Sequence, residues 1–150
     1  MLSFLRQKKL QSKDTNPIIL IYCFRFQMKK IELEYQIRSS PSVLFSRLST
    51  ASGLAEWFSD NVLVDGSKYT FVWGKTDQSA ELLCIRPLEF VKFRWLDNDA
   101  PSDFEFHIVL GEIIESLSLI VTDHVDEEDV SDVIKLWDAS VSRLRKAIGS

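Results

Sequence analysis

The spacing of hydrophobic residues takes a period of two shortly after Met28. In "MKKIELEYQIRSS" apolar residues alternate with charged or polar ones, which predicts a half-buried strand over 30–38. Ser40 and Pro41 then suit the N-cap and the first position of a helix, and the apolar residues that follow have helical spacing. The pattern therefore predicts a strand followed by a short helix.

A second short helix is predicted through "GLAEWF", with Ser52 as its N-cap. Leu54, Trp57 and Phe58 fall at i, i+3 and i+4, so they share one face. This spacing is typical of a helical turn that packs into a core. We expect Trp57 to anchor this turn and Phe58 to seal it.

From Asp60 the period is two again, and it predicts about six further strands. Asp65-Gly66 is a strong hairpin signal, and Pro87 separates two later strands. In "DFEFHIVL" the residues Phe104, Phe106, Ile108 and Leu110 are spaced two apart, so they are predicted to share one face of the strand.

The chain closes with a long amphipathic helix. Its acidic residues lie at the start and its basic residues at the end, as the helix dipole favours. The apolar stripe consists of Val130, Val133, Ile134, Trp137, Val141, Leu144 and Ile148. A stripe of this length requires a large apolar partner surface, and the face of the antiparallel sheet supplies one. The predicted fold class is α+β, with one long C-terminal helix packed on a curved antiparallel sheet.

Residues 1–27 show no sustained periodicity, so we expect an N-terminal extension outside the fold. Residues 28–150 are predicted to form a single domain, with Met28 as the functional start.

Composition excludes several classes of function. The net charge of −4 argues against nucleic acid as a partner, and no apolar run approaches the length needed for membrane insertion. Cys23 and Cys84 lie far apart, and the acidic run 123–132 lacks the spacing of a calcium loop, so we expect no metal and no cofactor. The short apolar stretch 18–24 makes a poor signal peptide, and the chain has only two cysteines. Both features favour a cytoplasmic location.

Catalytic chemistry is not indicated. His107 is predicted on a polar strand face with Glu105 and Val109, and His124 in an acidic turn, where solvated histidines are common. No nucleophile, metal or phosphate-binding motif is present.

The order of these elements, with the residues at their landmarks, resembles the helix-grip or START-like superfamily, which includes the birch pollen allergen. The most similar branch is named after activators of the ATPase of the heat-shock-protein-90 chaperone. The resemblance covers about 30–148 and rests on "SSPSVLFSRLSTASGLAEWFSDNV", "DGSKYTFVWG", "AELLCIRPLEFVKFRWL" and "LWDASVSRLRKAI". The family hairpin usually carries two glycines, and Ser67 stands in the place of the second.

The resemblance implies a cavity between the sheet and the C-terminal helix. Inward-facing candidates for its wall are Trp57, Phe71, Trp73, Phe93, Trp95, Phe106, Leu119, Val133 and Trp137. For any one of them, packing in a plain core is the more common role than lining a ligand site. The function implied is noncatalytic binding of a small hydrophobic molecule, lipid or polyketide-like. The alternative is a chaperone-associated or other protein-interaction module with a protein partner, and the third is a cyclase-like or hydrolytic enzyme.

Overall fold

The computed structural model describes residues 28–96, 102–114 and 116–150, so the predicted extension 1–27 lies outside the described residues. Its framework is a seven-stranded antiparallel sheet in the order β1-β7-β6-β5-β4-β3-β2. The strands are β1 (Met28–Arg38), β2 (Asn61–Asp65), β3 (Lys68–Trp73), β4 (Thr76–Arg86), β5 (Phe90–Trp95), β6 (Asp103–Leu110) and β7 (Ser116–Asp126). The first and the last of these strands along the chain, β1 and β7, are therefore neighbours in the sheet.

The described residues also form three α-helices, α1 (Pro41–Ser49), α2 (Ala51–Leu54) and α3 (Val130–Ile148), with a 3₁₀ turn at Glu127–Asp129 before α3. The predicted order of elements is confirmed. None of the described helices is long and apolar enough to cross a membrane. Helix α3 packs on β1 and β7, α1 on β5 and β6, and α2 on β2. The helices thus cover one face of the sheet, which we call the inner face.

The predicted N-cap of α1 is confirmed, because the Ser40 hydroxyl accepts the N–H of Val43 at 3.3 Å. The prediction for α2 was wrong in its cap. Thr50, and not Ser52, caps this helix, since its extended backbone directs Oγ1 to the N–H of Gly53 at 3.0 Å. Ser52 lies inside the helix and is exposed.

Helix α2 is also shorter than "GLAEWF" predicts. It ends at Leu54, and the segment 55–58 continues as turns, with the Phe58 N–H still donating to the Leu54 carbonyl at 2.9 Å. Leu54, Trp57 and Phe58 are nevertheless all buried, so the predicted apolar face is correct.

The β2–β3 hairpin explains why Ser67 can replace a glycine. Asp65 pairs with Lys68, so Gly66 and Ser67 are the central residues of the turn. Gly66 has a φ of 59°, whereas Ser67 has no positive φ. This combination is that of a type II′ turn, which requires glycine only at its first central position. The second glycine is therefore dispensable here.

Leu88 carries backbone strain in the β4–β5 turn. It has a φ of 66° and follows Pro87, while the Glu89 N–H donates to the Arg86 carbonyl at 3.1 Å. This is the geometry of a type II turn, which favours glycine at the position of Leu88. We therefore expect Leu88→Gly to raise the free energy of unfolding by about 0.5–1 kcal/mol in urea denaturation.

Leu88→Ala is the matched control for this prediction. Alanine removes the exposed aliphatic chain but keeps the Cβ that opposes a positive φ. An equal gain in the alanine variant would contradict the explanation by backbone strain.

Candidate functional site

The residues predicted to form a cavity wall come together between the sheet and the helices. Trp73 is partly buried, and the others are buried in a continuous apolar cluster: Trp57, Phe71, Phe93, Trp95, Phe106, Leu119, Val133 and Trp137. Leu110 has the spacing predicted for the face of Phe106 but is 70% exposed, because it lies at the last position of β6, beyond the cover of the helices.

Phe58 and Phe104 are central to this cluster, although they are not among the residues predicted to form the cavity wall. The Phe58 ring lies 5.7 Å from that of Trp137 on α3 and 5.7 Å from that of Phe104 on β6, stacked on both. It also meets the Phe71 ring edge-on at 4.9 Å. Phe58 therefore fills the space between the long helix and the sheet.

Signals for both residues exist in the sequence. Phe58 lies four residues after Leu54, and Phe104 lies two residues before Phe106. Both periodicities predict burial, but they do not predict which ring lies at the centre.

The turn at Trp57 and Phe58 is held from three sides. The Trp57 Nε1–H donates to the Arg47 carbonyl of α1 at 2.8 Å. The Trp73 Nε1–H of β3 donates to the Phe58 carbonyl at 2.8 Å, and the Arg143 Nε–H of α3 donates to the Trp57 carbonyl at 3.1 Å. These bonds fix the Trp57 ring and the backbone of the turn relative to the sheet and to both longer helices.

Asp123 is an acidic residue on the inner face and is 0% exposed. It lies two residues from Val121 and two from Val125 along β7, so all three side chains are buried on the same face. Its Oδ2 accepts the Nε1–H of Trp137 at 3.0 Å, and its Oδ1 accepts the N–H of His124 at 2.8 Å. Asp123 thereby fixes the Trp137 ring at the end of the cluster near the start of α3.

Gln78 is a second polar residue of the inner face, and it is 4% exposed. It lies opposite Phe71 in the β3–β4 register. Its side-chain Oε1 is buried and has no hydrogen-bond partner in the part of the chain that the structure describes. An unsatisfied buried acceptor costs about 1–3 kcal/mol of stability. Gln78 lies two residues before the buried Ala80, so the period of two along β4 could have predicted its inward position.

Two tyrosines tie the sheet to the helices. The Tyr69 hydroxyl donates to the Ser49 carbonyl at 3.2 Å, and the Tyr35 hydroxyl donates to Asp138 at 2.7 Å. Burial raises the pKa of Tyr69. Burial, and then the Asp138 carboxylate, raise the pKa of Tyr35 well above its ordinary range. Both phenols therefore remain protonated at neutral pH and serve as structural hydrogen-bond donors.

The histidines lie away from the aromatic cluster, on the outer face of the sheet. His107 is partly buried, with its ring 6.0 Å from that of Phe90. His124 lies with Nδ1 2.9 Å from the Asp103 carbonyl. It borders a shallow polar groove of about 310 Å³, in which Asp103 is paired with Arg94 at 2.7 Å. Both histidines therefore lie outside the candidate site.

Within the described ranges, no three histidine, cysteine, aspartate or glutamate side chains are grouped so as to hold a metal ion. Cys84 is an exposed free thiol on β4. It follows the β-bulge between Leu82 and Cys84, which shifts the alternation of the strand and turns the thiol outwards.

A second groove lies at the turn between β6 and β7. It has a volume of about 320 Å³ and is bordered by the start of α1 and by the turn. The aliphatic side chains of this turn are highly exposed, at 70% for Leu110, 76% for Ile113 and 92% for Ile114. We call these three residues the apolar tip. Exposed aliphatic residues of this kind are suited to contact with a protein.

Comparison with solved structures shows similar folds in proteins from several bacteria. A solution structure from Bacteroides fragilis is 34% identical with a TM-score of 0.59, and the match covers 81% of this chain and 92% of that one. The Aha1 dimer from Colwellia psychrerythraea is 17% identical with a TM-score of 0.70, over 80% of this chain and 96% of that one.

A third similar structure is DynU16, a protein of the dynemicin biosynthetic locus. It is 17% identical with a TM-score of 0.68, and the match covers 81% of this chain and 47% of that one. No curated protein matches the chain.

Family membership follows from the sequence profile of the START-like superfamily domain, which matches residues 26–150. The sheet order, the long C-terminal helix and the two short helices after β1 agree with this match. The chain therefore belongs to the START-like superfamily.

Proposed function

We propose that the protein is a noncatalytic binding protein for a small hydrophobic molecule, lipid or polyketide-like, held between the sheet and α3. START-like domains often bind hydrophobic ligands. The observation that carries the proposal is the aromatic cluster, which is buried except at Trp73. Ligand pockets are typically lined by apolar and aromatic side chains with a few polar groups, and Gln78 and Asp123 are such groups.

The rings of the cluster are in contact with one another, so a ligand has to displace one of them. The Phe58 ring is suited to rotate, because the hydrogen bonds of its turn hold the backbone and the ring itself is held by aromatic contacts. Trp73 is partly exposed and its ring lies 5.5 Å from that of Phe58. A ligand entering at Trp73 would therefore meet Phe58 first and replace its contacts with Trp137 and Phe104.

Binding can be tested with 1-aminoanthracene, a neutral aromatic probe whose fluorescence rises in apolar surroundings. All four tryptophans belong to the cluster, so bound probe should also quench the tryptophan emission by energy transfer. Trp73→Leu removes a flat ring from the wall and should weaken binding about fivefold.

Ile113→Ser is the control, because it changes an exposed residue of the apolar tip and should leave probe affinity unchanged. Native mass spectrometry of the purified full chain provides an independent measurement, in which a bound apolar molecule should appear as an extra mass that denaturation removes. If the probe does not bind and only the apo mass is seen, the binding function is contradicted.

A protein-interaction function is the second candidate, and the apolar tip favours it. The resemblance of the sequence to activators of the heat-shock-protein-90 ATPase directs the test to that chaperone. Under this hypothesis the protein would change the ATPase rate of the heat-shock-protein-90 chaperone, and Ile113→Ser would remove the change. An unaltered ATPase rate would exclude this partner.

A further inference from the structure

The side-chain oxygen of Gln78 stands out among the polar atoms of the inner face. It is buried opposite Phe71 and accepts no hydrogen bond from the described residues. Asp123, by contrast, accepts from Trp137 and from a backbone N–H. Gln78 therefore offers an acceptor inside the aromatic cluster.

The side-chain donors of β3 next to Gln78 are already engaged. Residues diagonal to Gln78 on the same face of β3 are Tyr69 and Trp73. The Tyr69 hydroxyl donates to the Ser49 carbonyl, and the Trp73 Nε1–H donates to the Phe58 carbonyl. Neither donor can turn to Gln78 without giving up a bond that ties the sheet to a helix or to the Phe58 turn.

We propose that Gln78 receives a hydroxyl group of the ligand, so that the protein selects neutral hydroxylated molecules over pure hydrocarbons. The inference rests on the proposed function. An amide oxygen accepts hydrogen bonds, which a hydroxyl donates. A carboxylate ligand lacks a proton for this bond. The ligand class is therefore an alcohol or phenol on an apolar framework.

A pair of probes that differ in one group tests this selectivity: 2-naphthol and 2-methylnaphthalene, each competing with 1-aminoanthracene. The wild-type protein should bind 2-naphthol about tenfold more tightly, as expected for one buried hydrogen bond. Gln78→Leu should lose this preference while retaining its affinity for 2-methylnaphthalene. The variant should also unfold at a higher temperature in the absence of ligand.

Gln36→Leu is the matched control, since Gln36 is exposed on the outer face of β1. It should keep the tenfold preference. The proposal is overturned if the wild type binds both probes equally, or if Gln78→Leu keeps the preference. A lower unfolding temperature of Gln78→Leu would make Gln78 a structural residue and would also overturn it.

The outcomes separate this inference from the function on which it rests. Equal binding of the two probes contradicts the role of Gln78 but supports an apolar binding site. Displacement of 1-aminoanthracene by neither probe, together with a clean apo mass, overturns both.

Discussion

Replacing Phe58 with alanine is expected to lower the free energy of unfolding by about 3–5 kcal/mol. The side chain is 3% exposed and its ring is stacked between Trp137 and Phe104. These two rings cannot easily collapse into the vacated space, because Asp123 fixes Trp137 and the sheet fixes Phe104. The loss of stability therefore combines the lost free energy of burying a phenyl ring with the cost of the cavity that remains.

Urea denaturation of Phe58→Ala measures this loss. Phe45→Ala is a suitable control, because Phe45 is a partly buried ring on α1 and its removal should cost less. The Phe58 variant should also bind 1-aminoanthracene more tightly, since the space that a ligand has to open is already vacant. A loss below about 1 kcal/mol would show that the neighbouring rings close the cavity.

Two substitutions in the same cluster are thus expected to have opposite effects on stability. Phe58→Ala removes satisfied packing and should destabilise the protein, whereas Gln78→Leu removes an unsatisfied acceptor and should stabilise it. They should also have opposite effects on ligands, since one creates space and the other removes a polar contact. A cluster with only a structural role gives no reason for a buried acceptor that lowers stability. This combination is the expected signature of a binding site.

The architecture could be predicted from the sequence because the hydrophobic period changes sharply. Polar residues alternate with Ile31, Leu33, Tyr35 and Ile37, so β1 could only bury one face, and the stripe of α3 required a large surface. Local sequence also specified the N-cap at Ser40. In these cases residues close together in the sequence are enough to decide which side chains are buried and where a helix begins.

The arrangement within the core could not be predicted in the same way. The position of Phe58 between α3 and β6 depends on how a turn, a helix and a strand meet, and periodicity within each element carries no information on that meeting. The cap at Thr50 depends on a backbone conformation set by the junction of α1 and α2. That no described residue donates to the Gln78 Oε1 depends in part on where the donors of β3 are engaged.

Gly53→Ala is expected to lower the free energy of unfolding by about 2–3 kcal/mol. Gly53 is buried where α2 crosses α1, and the two helices are joined by Thr50 alone. An added Cβ would overlap the Ser46 carbonyl oxygen and would lie 2.7 Å from the Arg47 Cα. Both obstacles are backbone atoms, which cannot rotate away as a flexible side chain could.

The helix junction cannot relax without losing hydrogen bonds of its own. The Ser46 carbonyl accepts the Thr50 hydroxyl at 2.6 Å, and the Arg47 carbonyl accepts the Trp57 Nε1–H at 2.8 Å. Ser52→Ala is the control, because Ser52 is exposed in the same short helix and should change stability by less than about 0.5 kcal/mol. Urea denaturation measures both variants.

The Gly53 variant also tests how strictly the candidate site depends on the helix junction. Separating α2 from α1 shifts Trp57, and with it the neighbouring Phe58, away from the sheet. Probe affinity should therefore change in Gly53→Ala and remain constant in Ser52→Ala. If Gly53→Ala loses stability but keeps wild-type affinity for 1-aminoanthracene, the Trp57–Phe58 turn does not border the ligand. The binding site would then lie on the β3–β5 side of the cluster, where Gln78 is found.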